Sequence, residues 1–236
     1  MTYSDPSRYR STSPGFGTAG NYGSGAPVAT QRGRAPQPQR HRRGGGLSGA
    51  LRYSIGFVVV IWAVHIINLV FFDGGLLAFG IRPMDTSSLW GIVTAPLLHA
   101  SFEHLISNTV PGAVFAFLVG FSGRRAFWEV TAIVVLVAGV GTWLFGGVGT
   151  NHIGASSLVY GWLAYLLVRG IFNRSFRQIL LGLVLGFFYS GLVWGLLPGT
   201  PGMSWQGHLF GAIGGILAGM MITSDDPPKL VGRRNA

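Results

Sequence analysis

Two residues 52 positions apart could together break an amide bond. Ser156 stands in Gly154-Ala155-Ser156-Ser157, and His208 in Gly207-His208-Leu209-Phe210-Gly211. An imidazole that takes a hydroxyl proton turns a serine into a nucleophile able to attack a carbonyl. Each residue opens a long apolar run, which points to chemistry inside a membrane, where polar side chains are costly. A third element, His99-x4-His104-x3-Asn108, opens another apolar run and offers donors suited to a developing oxyanion.

The elements that must position these residues are membrane spans. Of 236 residues, 49% are hydrophobic and only 10% charged, against roughly 25% charged in a soluble domain. Runs of ~20 apolar residues are long enough to cross a bilayer. Six are expected, at about 53–72, 103–121, 126–145, 154–172, 178–197 and 205–223, so the fold class is an all-α polytopic membrane protein. The connection 73–102 is long and apolar and should lie partly in the interface. Residues 1–52 form a basic, Gly/Pro/Arg-rich tail that cannot bury enough surface to fold. The membrane domain is 53–223, followed by a short tail, 224–236.

Charge predicts the orientation. Sixteen of the 17 basic residues fall before the first span, in the 2–3 and 4–5 connections or after the sixth span. Only Arg82 lies in the 1–2 connection. Positive charge marks the cytoplasmic side, so both termini should be cytoplasmic in the cell membrane. The net charge of +10 is thereby assigned to topology and the membrane surface, with no nucleic-acid partner. The starts of spans 2, 4 and 6 then share the exterior side, and they carry His104 and Asn108, Ser156, and His208.

Each residue also has a plainer reading. Ser156 could bond back to its own helix. His104 and Asn108, four apart on one face, could be a structural polar pair. Tyr160, one turn from Ser156, could orient the base or anchor the interface. Gly211 and Gly215 follow His208 on its face and permit a close helix seam. Gly154 permits an unusual turn. His152 reads as a polar residue at the water boundary, and His65 has no evident partner. The chain has no cysteine and no His-Glu-x-x-His, and none of its seven carboxylates lies deep in a span. A two-aspartate protease and a cysteine nucleophile are excluded, and a zincin-type zinc site is not expected. No metal or cofactor is implied, and with no acid to hold the histidine, catalysis would use a Ser–His dyad.

In these motifs the chain resembles the rhomboid intramembrane serine proteases. The resemblance covers residues 53–223. The family's Gly-x-Ser-Gly matches Gly154-Ala155-Ser156, with Ser157 in place of the last glycine. His-x-x-Gly-x-x-x-Gly matches His208, Gly211 and Gly215. His-x4-His-x3-Asn matches His99, His104 and Asn108. The resemblance implies Ser156 as nucleophile and His208 as base, then acid. It implies an oxyanion hole of His104, Asn108 and the Ser156 N–H, with His99 structural. The family's Trp-Arg pair in the first loop appears here as Trp90-Gly91, and residues 197–204 resemble its cap. The substrates implied are transmembrane segments of other proteins, entering from the lipid bilayer past span 5. The alternative is a rhomboid-like protein that binds transmembrane helices without cutting them.

Overall fold

The computed structural model describes residues 46–222. The tails expected on either side of the membrane domain lie largely outside the described residues. Seven α-helices follow one another: α1 (Leu47–Phe72), α2 (Gly91–Thr94), α3 (Phe102–Phe121), α4 (Arg124–Phe145), α5 (Ser156–Phe172), α6 (Phe176–Phe188) and α7 (Trp205–Met221). Short 3-10 turns occur between α1 and α3, and one of seven residues, Ser190–Leu196, follows α6. The described chain is all-helical, apart from a single antiparallel bridge between Ile81 and His152.

α1, α3 and α4 are each long and apolar enough to cross a membrane. α6 and the 3-10 turn after it are apolar enough to count as one broken span, bent by 70°. α5 and α7 have 17 residues each, at the short end of what spans. All six fall where the sequence places apolar runs. The first run starts earlier than expected: α1 begins at Leu47, so Arg52 lies within it. The fifth is not the continuous helix expected over 178–197. Gly191 and Gly195 weaken any helix past Phe188, and carbonyls of the 3-10 turn are used by neighbouring side chains instead.

α5 is the central helix. It packs on α3, α4, α6 and α7, and its Trp162, Tyr165 and Leu166 are buried among Phe115, Phe127, Val130 and Val134. Its seam with α7 is backbone to backbone. A side chain at Gly211 would strike the Ser157 carbonyl, and one at Gly215 the Gly161 carbonyl. These two glycines are what allow the histidine helix to sit against the serine helix. α1 is peripheral and grips α3. Ser54 Oγ donates to Ala113 O at 2.8 Å and Trp62 Nε1 to Thr109 Oγ1 at 3.1 Å.

The first connection is a folded unit. Arg82, the one Lys or Arg in this connection, is not a free charge. It pairs with Asp85 at 2.8 Å and donates to Ala78 O and Ser87 Oγ at 2.7 and 2.9 Å. Hydrogen bonds from Ser87, then from Arg82, hold the Asp85 carboxyl down at about 2. Gly91 is required here, because a side chain would enter the backbone of Gly80 and Ile81. An arginine at position 91 would not fit this packing, and Arg82 ties the loop together instead. Arg169, expected in the 4–5 connection, is buried in the last turn of α5 and donates to Ser122 Oγ.

Candidate active site

The site is assembled at the N-terminal ends of α3, α5 and α7. Gly154, at φ +115°, turns the chain into α5 so that Ser156 is the helix's first residue. A side chain at Gly154 would overlap the His104 ring, with 2.6 Å to Cε1, so glycine is needed for both conformation and space. The Gly154 N–H is held by Ala95 O at 2.9 Å. As the first helical residue, Ser156 has an N–H outside the intrahelical ladder and at the positive end of the helix dipole.

Ser156 Oγ lies 2.9 Å from His208 Nε2. The other ring nitrogen, Nδ1, is 2.8 Å from Gly195 O. A carbonyl can only accept, so Nδ1 carries the hydrogen and Nε2 of the neutral ring is left to accept from the serine. Gly195 O thus does the orienting that an acid does in a triad. Sequence reasoning missed this group because a backbone carbonyl has no residue-type signature. The only trace was a pair of glycines in an apolar run.

Tyr160 stacks on His208, with centroids 4.2 Å apart and planes 8° apart. Its hydroxyl donates to Leu192 O at 2.7 Å. Tyr160 thus packs against the imidazole of His208, as one of its two sequence readings expects.

His104 is half-buried, with its ring against Gly154. Asn108, one turn along α3, is buried, and its amide donates to His104 O at 2.8 Å. An amide has a second hydrogen to give. His99 is buried beside His104, ring centroids 5.0 Å apart. Its Nε2 faces the Ala155 N–H at 3.4 Å, and its carbonyl faces His65 Nδ1 at 3.1 Å. His65 therefore has partners: this carbonyl and the Phe102 ring. Burial, then the neighbouring His104, pushes His99 down to about 4.

His152, expected as a polar residue at the water boundary, is partly buried and also joins several segments. It bridges Ile81 through both backbone groups and meets Ser204 Oγ, Gly146 O and Thr150 Oγ1 at 2.6, 2.9 and 2.7 Å. Burial lowers its pKa. Ser204 also caps α7 by accepting from the Gly207 N–H. His152 thus ties the turn before Ser156 to the start of the histidine helix. A cavity of ≈ 20 Å³ touches Ser156, with Thr142, His152 and Ser204 among its walls. It is large enough for about one water.

The Rhomboid domain family model matches residues 86–225. The chain belongs to the rhomboid family. It is 41% identical over 206 residues to an uncharacterized protein of Mycobacterium tuberculosis, covering 84% of this chain and 85% of the relative. An uncharacterized Mycobacterium leprae protein is 38% identical over 207 residues, covering 82% and 79%. A Bacillus subtilis protein is 29% identical over 136 residues, covering 54% of this chain and 64% of its own length. The name of this last protein assigns it provisionally to the rhomboid proteases.

Proposed function

We propose that this rhomboid is an intramembrane serine protease cutting transmembrane segments of other proteins. The observation that carries this reading is the Ser156–His208 contact with the ring's other nitrogen held by Gly195 O. Ser156 Oγ attacks the substrate carbonyl carbon while its proton passes to His208 Nε2. The carbonyl oxygen becomes an oxyanion, taken up by the Ser156 N–H, His104 and Asn108. The tetrahedral adduct collapses as His208 gives its proton to the leaving amine, and the acyl group stays on Ser156. A water, deprotonated by His208, then releases the acid and restores the serine. The small cavity beside Ser156 offers that water a polar place to wait.

The substrate's helix must unwind to present its carbonyl, which favours helix-weakening residues at the cut. Entry past α6 is supported by its packing, which among the long helices is mainly on α5. The active site faces the exterior of the cell membrane in this reading, with both termini cytoplasmic.

A serine-directed fluorophosphonate should label the purified protein, and Ser156→Ala should abolish labelling and cleavage without loss of helix content. Ser157→Gly should keep both, because Ser157 packs toward α7. A wild type that resists labelling and cuts nothing in a broad substrate panel would transfer the site to helix binding without cleavage.

A further inference from the structure

Between α1 and the α4–α5 core lies a cavity of ≈ 590 Å³ that the dyad does not use. We propose that it holds one anionic phospholipid, its phosphate between Arg52 and Arg124 and an acyl chain along α1.

The cavity exists because the main packing of α1 is on α3, while it reaches α4 and α5 only through a few rings, Tyr53 on Phe127 and Phe57 against Trp162. Its bonds run to α3, and 17% of its apolar window is buried, against 39% for α3 and for α4. The slot facing α4 is lined by Phe57, Val60, Phe127, Trp128 and Trp162. In a bilayer, an apolar slot open to hydrocarbon fills with hydrocarbon, since unfilled walls lose their dispersion contacts. A lipid chain is the material at hand.

The polar end gives the choice of lipid. Arg52 and Arg124 both line the cavity, and both are exposed. Among the described residues neither has a carboxylate partner, as the ion pairs are Arg82–Asp85 and Arg125–Glu129. Arg52 lies over the Tyr53 ring at 5.6 Å, so it is directed along the groove wall. Two guanidiniums lining one apolar slot, neither paired with a carboxylate among the described residues, match a phosphate-bearing headgroup joined to a chain. From Arg52 to Ile61 the groove follows α1 for about 14 Å, at 1.5 Å per residue. The Pro96–Leu97 end adjoins the first connection. A zwitterionic lipid fits the slot but brings its own cation to the arginines.

The test is lipid retention by the full chain in detergent, read by native mass spectrometry. Dioleoyl phosphatidylglycerol should be retained at about tenfold lower concentration than dioleoyl phosphatidylcholine. Arg52→Gln/Arg124→Gln should erase that preference. The tail arginines are untouched in this variant, so adventitious charge binding is common to both arms. Gly56 lines the groove with open space around its Cβ position, and Gly56→Phe should reduce retention of both lipids. Val60→Trp fills the same groove from an exposed position if Gly56→Phe is not monodisperse. Equal retention of the two lipids, a preference that survives loss of both arginines, or lipid binding indifferent to filling would each overturn the proposal. So would a dimer that the filling variants abolish, since a second copy would then occupy the slot. None of these readouts depends on proteolysis.

Discussion

His104 and Asn108 show how one arrangement can serve structure and chemistry at once. His104 fills the space left by the missing side chain of Gly154. Asn108 secures its own helix through His104 O. The oxyanion role asks for more: bonds that strengthen only as negative charge develops. His104→Ala and Asn108→Ala should each slow cleavage by ~10²–10³ while weakening substrate binding far less. The check is a kcat-against-KM comparison on a model transmembrane substrate, with helix content followed in parallel. Equal loss of binding and rate would assign both residues to a structural polar pair. At this scale the sequence was informative where a residue type suggests chemistry, as with Ser156 and His208, whose side chains do meet. It was silent where a backbone group does, as with Gly195 O and Leu192 O.

The 3-10 turn 190–196 is held by two side chains that the sequence places far away, Tyr160 through Leu192 O and His208 through Gly195 O. A Cβ at Gly195 would overlap the Tyr160 hydroxyl and approach His208 Nδ1 to 3.1 Å. Gly195→Ala should therefore push the turn off the imidazole and cut kcat by about tenfold or more, with the helices intact. Removing the obstructing oxygen with Tyr160→Phe in the same chain should restore part of the rate. Double-mutant kinetics decide it, and additive losses would contradict the account. The link from α1 to α5 through His65 and His99 makes a second prediction, on pH. His99 is pushed down to about 4 from 6.5, so the unfolded chain binds its proton first as pH falls. Stability should be complete above about pH 6.5 and decline toward pH 4, by on the order of 3 kcal/mol from this group. Thermal unfolding across that range should show the decline, and His99→Gln should flatten it. An unchanged slope would remove His99 from the linkage. Helix ranges were legible because apolar runs of that length have few other uses. The break after Phe188 and the pairing of His65 with His99 were not, because each depends on contacts across the bundle.

For the molecule as a whole, the described structure brings the N-terminal ends of α3, α5 and α7 to one site, as the sequence expects for the starts of its even-numbered spans. The first loop was the least legible part. Its Arg82, Asp85, Gly80 and Gly91 make sense only once the backbone segments they join are adjacent. Which side of the membrane the site faces is a question of charge. Arg52, Arg124 and Arg125 lie at the end of the bundle remote from Ser156. Arg169 is at that end too, but it is spent on Ser122 and adds little to the surface. Lys and Arg near span ends resist translocation, so the end remote from Ser156 should be cytoplasmic. The native chain has no cysteine, which makes single-cysteine labelling clean. Thr30→Cys and Leu230→Cys should react with a membrane-impermeant maleimide only after cells are opened. Val148→Cys, at a position 82% exposed in the connection before Ser156, should react in intact cells. Labelling of position 30 or 230 from outside would invert the topology and turn the proposed cut toward the cytoplasm. The dyad geometry would stand unchanged, because it depends on the packing of α5 and α7 and not on which way the bundle is inserted.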